Sequence, residues 1–431
     1  MKNIFKKTVV TILTLEARFM LRRHKPKIIA VTGSVGKTSS KDLIYSVVST
    51  TFSTRKSEKS YNSEFGVPLT ILNLKTAWSS SSGWISNLCL GLLNLLLQYK
   101  YPEYLILEIG ADHPGDIKTL VSYLHPKIGV VTGLGNEVPV HTEFFGSIED
   151  LIKEKSELLR ALSSDGMAIL NRDDVRVWEL REVTESKVVS FGFTTDATIR
   201  GDNFHTSYDE LGIPKGISQR VDYQGKSVPI RLSGVLGKGH AYSALSAFAV
   251  GVSLGMNVLE VADALGRHVF TPGRMCILTG INGSTLIDDT YNSSPTAVKL
   301  ALETLHEIEG AKRKIAVLGD MLELGEYSES EHKKVGGWVR GVADVLVCVG
   351  PNAKIIGESA LSDGCEKRQV HFFLNSIEAG NYLRTFVRTG DVVLLKASQS
   401  IRLEKATEML LEDPSKAKEL LVRQESEWKN R

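Results

Sequence analysis

The stretch IIAVTGSVGKTSSKDLI, residues 28–44, constrains the fold more than any other part of the chain. Ile28 to Val31 is an apolar run of the kind that forms a strand buried on both faces. From Ser39 onward the pattern predicts a helix. A strand that passes through a glycine-containing turn into a helix is the plan of a phosphate-binding loop on an α/β sheet. Gly33 and Gly36 let the backbone approach an anion, the helix start offers free N–H groups, and Lys37 adds a point charge. Ser34 and Ser39 belong to the same candidate nucleotide-binding turn, and the Thr38 hydroxyl is suited to a magnesium ion. The spacing departs from G-x-x-x-x-G-K-[ST], because Val31 stands where the first glycine is expected.

The rest of the chain continues the α/β alternation. YLILEIGAD from Tyr104, KIGVVTGLG from Lys127 and GMAILNRDD from Gly166 are short apolar runs ending in Gly, Asp or Asn, with helical patterns between them. They predict a mainly parallel sheet whose ligands sit at the carboxyl ends of the strands. VVSFGF, RVDYQG and VPIRLSG, within residues 187–235, predict short antiparallel strands appended to it. Pro and Gly in TPGRM, residues 271–275, predict a hinge. STLIDDTYN, KIAVLGDM, DVLVCVG and DVVLLKAS then predict a second, Rossmann-like α/β unit. The expected division is an N-terminal helix over 1–27, an ATP-binding domain over 28–272 and a C-terminal domain over 273–431, with the nucleotide in the cleft between the two domains.

Composition narrows the classes. Lys and Arg number 52 against 50 Asp and Glu, a balance that gives no argument for a nucleic-acid partner. Cys89, Cys276, Cys348 and Cys365 are far apart without paired metal-ligand spacing, which suits a reducing cytoplasm. Residues 1–27 depart from the average, with eight Lys or Arg against the single acid Glu16. Ile4, Phe5, Val9, Ile12, Leu13, Phe19 and Met20 recur at roughly helical spacing and predict a basic amphipathic helix, packed on its own domain or resting on a membrane surface or partner protein. Glu16 and Arg18 interrupt the apolar run, so a signal peptide fits poorly. The apolar stretch beginning at Gly83 contains Asn87 and Asn94 and is too short for a span. It predicts a partly buried crossover helix, with a monotopic membrane contact as the alternative.

VTGSVGKTSSKD, YNSEFGVPLT, LEIGADHPGDI, HTEFFGSIEDLIKEKSELL, LIDDTYNSSP, VLGDMLELGEYSE and DVVLLKASQSIRLEK together resemble the Mur ligases, over about residues 27 to 410. Within that family the resemblance is to the branch that adds D-alanyl-D-alanine to a muramoyl-peptide precursor of peptidoglycan. It implies ATP-dependent amide-bond formation: a carboxylate takes the γ-phosphate, and an amine displaces phosphate from the acyl phosphate. Family members ordinarily carry an N-terminal domain for the uridine diphosphate end of the substrate, for which the resemblance finds no counterpart here. The expectation is recognition mainly of the peptide end.

Carried over motif by motif, the resemblance implies roles for particular residues. Glu108 at a strand end and His141 in VPVHTEFFGS match positions used at magnesium, with Thr38. Lys155 matches a family lysine carbamylated by carbon dioxide, which becomes an anionic magnesium ligand. Lys37, Glu108, His141 and Lys155 are the catalytic candidates. Arg274 and Asp289 match ATP-contacting positions, for the γ-phosphate and the ribose, and Asn292 lies in the same loop. Asn62 is a candidate for the carboxylate substrate; Asp320, Glu323, Lys396 and Ser398 are candidates around the amine. In the sequence GKGHAYSA, His240 and Ser243 replace expected asparagines, and Gln399 replaces a common arginine. Two other readings stay open: a Mur-fold ligase for another carboxylate and amine, and a non-catalytic ATP-binding scaffold at the cell wall.

Overall fold

The computed structural model describes residues 2–58, 61–78 and 80–429. Two sheets organise the described residues. The first contains β1 (Lys27–Thr32), β2 (Thr54–Lys56), β3 (Tyr104–Glu108), β4 (Ile128–Val131), β5 (Met167–Asn171), β6 (Lys187–Gly192), β7 (Ile199–Tyr208), β8 (Pro214–Tyr223) and β9 (Lys226–Ser233). Their order is β2-β3-β1-β4-β5-β6-β7-β8-β9. The second contains β10 (Cys276–Gly280), β11 (Ser284–Asp289), β12 (Arg313–Gly319), β13 (Val345–Val349), β14 (Val370–Phe373) and β15 (Asp391–Lys396), in the order β10-β11-β15-β12-β13-β14.

All pairings from β2 to β7 are parallel, and β7, β8 and β9 form an antiparallel extension. This corrects the expectation for VVSFGF: β6 lies parallel to β5 as part of the main sheet, and the ten-residue β7, which the sequence reading passed over, begins the antiparallel portion. In the second sheet only β10 runs antiparallel to its neighbour. The TPGRM segment is pinned to the end of the first sheet, with Leu236 N donating to Met275 O at 3.0 Å and Ile277 N to Gly234 O at 2.9 Å.

Strand β1 explains why both faces of the first sheet must be covered. Ile29 and Val31 enter one core with Leu43 and Ile44 of helix α2 (Lys37–Val48), whereas Ile28 and Ala30 enter another. Helix α1 (Lys2–His24) supplies Val9, Leu13 and Met20 to that second core, so it packs on its own domain. Ala17 and Leu21 follow them, whereas Ile4, Phe5, Leu15 and Phe19 are exposed. Between β2 and β3 run α3 (Gly66–Leu72) and α4 (Ser81–Leu97), which make the crossover. Helix α5 (Asp116–Leu124) follows β3, and α6 (Ile148–Arg160) precedes β5. No helix among the described residues is long and apolar enough to cross a membrane.

Candidate active site

The phosphate loop is held in shape from the neighbouring strand end. Gly33 has φ 147°, and a Cβ there would lie 2.2 Å from Thr132 Oγ1. Ser34 N donates to Gly133 O at 2.7 Å, and Thr132 Oγ1 donates to Val35 O at 2.6 Å. Gly36, left-handed at φ 80°, turns the chain into α2, which begins at Lys37, two residues before the expected start. No side chain among the described residues caps that helix start, which leaves its N–H groups for a ligand.

Two lysines converge beneath the loop. Lys37 Nζ donates to Gly33 O at 2.9 Å, and Lys155 Nζ donates to the same carbonyl at 3.2 Å. Lys155 is 3% exposed, so it is not the solvated helix lysine that its charged neighbours suggest. The cause lies one residue earlier: the Glu154 carboxylate accepts the backbone N–H groups of Gly115, Ile117 and Lys118 at the start of α5, which fixes the rotation of α6. Ser147 caps α6 by accepting from Asp150 N. Burial first, and then the nearby Lys37 ammonium, push the Lys155 pKa down to about 7. Burial lowers that of Lys37 as well, against the pull of Glu108.

Glu108 closes β3, buried, beside Val31 of β1. Its Oε2 accepts from Thr38 Oγ1 at 2.9 Å and its Oε1 from Asn62 Nδ2 at 3.2 Å. Thr38 Oγ1 in turn accepts from Arg274 Nη2 at 3.2 Å, so an arginine beyond the first sheet reaches the loop. The Arg274 guanidinium lies 3.9 Å from the Tyr291 ring centroid, and its buried Nε has no hydrogen-bond partner among the described residues. His141 Nδ1 stands 2.9 Å from Glu323 Oε2, and its Nε2 stands 3.7 Å from Asp112 Oδ1. The His141 contact holds the Glu323 carboxyl below its ordinary range.

These groups surround a cleft of about 890 Å³ walled by both α/β units. Ser34, Gly36, Lys37, Thr38, Ser39, Asn62, Glu108 and His141 line it from the first; Arg274, Asp289, Asn292, Glu323, Lys396 and Ser398 line it from the second. Gly33 and Lys155 lie beneath the loop, outside the cleft wall. Lys396 Nζ donates to Asp289 Oδ2 at 2.6 Å and to Asn292 O at 3.0 Å, which joins a residue expected near the amine to two expected near the nucleotide. Asp320 does not border the cleft. Its carboxylate accepts from Ala353 N at 2.7 Å, at the start of the helix Ala353–Ser362, and burial raises its pKa. Ser398 Oγ accepts from Leu322 N at 3.0 Å.

The departures from the expected asparagines take on definite partners. His240 Nε2 meets Arg274 O at 2.8 Å, with burial lowering the pKa of the ring, and Ser243 Oγ donates to Gly239 O at 3.0 Å. Sequence reasoning missed Asp112, Tyr291 and the Tyr242–Asp173 pair, whose hydroxyl and carboxylate meet at 2.8 Å on the cleft wall. All four lie inside strings already singled out, but nothing in their spacing distinguishes a wall residue from a turn residue. Ser34 Oγ, Ser293 Oγ, Thr296 Oγ1 and His240 Nδ1 are further buried, unpaired polar atoms of cleft residues among the described residues. Such orphans are expected where a polar ligand completes the site.

A phosphate loop facing an arginine from a second α/β unit across a shared cleft defines a two-domain nucleotide-binding enzyme. The Mur ligase middle domain matches residues 31–251, and the Mur ligase, glutamate ligase domain matches residues 273–399. The chain belongs to the Mur ligase family, whose members are ATP-dependent peptide ligases. It is 33% identical to the UDP-N-acetylmuramoyl-tripeptide--D-alanyl-D-alanine ligase of Mycobacterium leprae (strain TN), over 90% of this chain and 74% of that one. The enzyme of the same name from Bacillus subtilis (strain 168) is 28% identical, over 94% of this chain and 80% of that one. Among solved structures, MurF ligase from Thermotoga maritima in complex with ADP superposes with a TM-score of 0.74 at 27% identity, covering 93% of this chain and 83% of the other.

Proposed function

We propose that the chain joins D-alanyl-D-alanine to the terminal carboxylate of a muramoyl-tripeptide precursor of peptidoglycan, with hydrolysis of ATP to ADP and phosphate, on the cytoplasmic side. The observation that carries this reading is the meeting of Arg274, Thr38 and Glu108 at the phosphate loop, together with the similarity over nine-tenths of the chain to ligases of that name. A carboxylate oxygen attacks the γ-phosphorus, ADP leaves, and the amine of the dipeptide attacks the resulting acyl carbon. The C–O bond to phosphate then breaks, and the amine proton is lost.

Lys37 and the N–H groups at the start of α2 hold the β- and γ-phosphates, and the Arg274 guanidinium, whose Nε has no partner among the described residues, meets the γ-phosphate as charge moves onto it. Asp289 and Asn292 meet the nucleoside, and Asn62 orients the carboxylate substrate. Glu323, Lys396 and Ser398, which line the cleft from the second α/β unit, meet the amine. Asp320 acts one layer behind them, by fixing the turn that carries Ser398, whose N–H donates to Asp320 O at 3.0 Å.

Magnesium would be held by Thr38, Glu108, His141 and the carbamate of Lys155. Thr38 Oγ1 and Glu108 Oε2 stand 2.9 Å apart at the phosphate loop, two oxygens suited to a hard cation that also takes substrate oxygens. The ion supplies charge neutralisation of the transferring phosphoryl group. Lys155 fits its part: carbamylation adds carbon dioxide to a neutral amine with release of a proton, and an amine with a pKa near 7 is half neutral at neutral pH.

The test incubates the purified chain with ATP, magnesium and a panel of muramoyl-peptides, with and without D-alanyl-D-alanine, and reads products by mass spectrometry and phosphate release. The reading expects a tripeptide precursor to gain one dipeptide per phosphate released. Product with another amine, and none with D-alanyl-D-alanine, would overturn it.

A further inference from the structure

Helix α4 packs Trp84, Leu88 and Leu95 half-buried on the second core but leaves its larger apolar face outside. Its inward side carries Asn87 and Gly91, both buried, and Asn94; the two asparagine side chains donate to Lys75 O at 2.8 Å and Leu72 O at 2.9 Å. Gly91 sits against Glu16 of α1, where a Cβ would meet the carboxylate. Its outward side carries Ile85, Leu90, Leu92, Leu93, Leu96 and Leu97, each between 44% and 58% exposed. The helix contains no Asp, Glu, Lys or Arg, so nothing on that face is solvated by charge. A contiguous apolar face of this kind is abnormal for a surface bathed only in water.

The rim of the face is cationic. Arg23, at the end of α1, donates to the Leu95 and Leu96 carbonyls near the end of α4 and lies over the Tyr99 ring. Phe19, exposed, precedes it by one turn on the same side of α1. Arg22 and Lys25 are exposed near Arg23 in the chain and Lys100 is exposed just past the end of α4, while the single acid of residues 1–27, Glu16, is buried. A second copy docked on this face would bring like charges together, whereas a sheet of lipid phosphates would meet them with opposite charge.

We propose that the outer face of α4, with the basic end of α1, is a monotopic docking surface for an anionic lipid bilayer. The leucines enter the boundary between headgroups and acyl chains, and Arg22, Lys25 and Lys100 engage lipid phosphates. None of the described residues of α1 or α4 lines the cleft, so docking leaves the site open to soluble ligands. The inference is independent of which carboxylate and amine the enzyme joins.

Flotation of the full chain with vesicles of phosphatidylethanolamine and phosphatidylglycerol, against vesicles of phosphatidylcholine alone, tests it. The expected result is partitioning at least about tenfold stronger onto the anionic vesicles, weakened by 1 M salt. Leu92→Gln/Leu96→Gln should abolish it, and Arg22→Gln/Lys100→Gln should weaken it several-fold, with the melting temperature and ATP turnover of both variants unchanged. Equal partitioning of the parent chain and both variants would overturn the proposal. So would self-association, read by ultracentrifugation without lipid, that depends on Leu92 and Leu96 while vesicles recover no protein.

Discussion

Thr38 and Glu108 lie seventy positions apart in sequence and meet through a 2.9 Å hydrogen bond, one at the head of α2 and the other at the end of β3. The bond brings a hydroxyl and a carboxylate, two oxygen donors for a hard cation, to the point where Arg274 also arrives. Glu108→Gln preserves size and an acceptor for Thr38 but removes the charge. Turnover should fall by about 10²-fold or more, near 2.7 kcal/mol, with an unchanged circular dichroism spectrum. Steady-state assays across a magnesium titration check this; near-parental turnover would exclude Glu108 from the metal set.

Lys155→Ala should be nearly inactive, because it removes the group that becomes the anionic ligand. Small carboxylic acids such as acetate should restore part of the activity by occupying the vacated space with an anion. Full activity in the unrescued variant would make Lys155 a structural lysine that merely supports Gly33 O.

Arg274→Lys keeps the positive charge but loses the fork and the stack on Tyr291. The expected result is a fall in kcat/KM for ATP of at least about tenfold, about 1.4 kcal/mol. An unchanged value would mean that the arginine serves only to tie the two α/β units together.

Glu16 gives a pH-dependent prediction outside the site. Burial raises its pKa from 4.5 to about 7, and its Oε2 has no hydrogen-bond partner among the described residues. Below about pH 4.5 the carboxyl is protonated in folded and unfolded chains alike, so the side chain causes no titration penalty. Between about pH 4.5 and 7 the unfolded chain ionises while the folded one stays protonated, so this contribution to stability falls across that window and is fully lost once the buried carboxyl ionises above about 7. Glu16→Gln should therefore match the parent near pH 4.5 and exceed it at pH 8, by at most about 3 kcal/mol. Urea melts at the two pH values measure the difference, and a parallel pair of profiles would contradict it.

The phosphate loop was legible because its chemistry is local: strand, glycines, lysine and helix follow one another within residues 28–44. The parallel strands were legible for the same reason, as continuous apolar runs. What distant contacts decide was not. The burial of Lys155 depends on Glu154 capping a helix that starts nearly forty residues earlier, and no periodicity in α6 announces it. Asp320 shares a motif with Glu323, yet a turn sends one carboxylate to a helix start and the other to His141. Helix α4 is apolar nearly all round, so its sequence did not say which side faces in; two asparagines with backbone partners decide it. The carbamate and the metal rest on the family resemblance and on the burial of Lys155.

The measurement that tests the central claim most directly follows oxygen. A muramoyl-tripeptide labelled with ¹⁸O in its terminal carboxylate is incubated with the chain, ATP, magnesium and D-alanyl-D-alanine, and the released phosphate is analysed by mass spectrometry. If the carboxylate attacks the γ-phosphorus, the acyl phosphate keeps one labelled oxygen on phosphorus when the amine displaces it. The account predicts one ¹⁸O in the phosphate released for each peptide bond formed. Peptide product accompanied by unlabelled phosphate would contradict it.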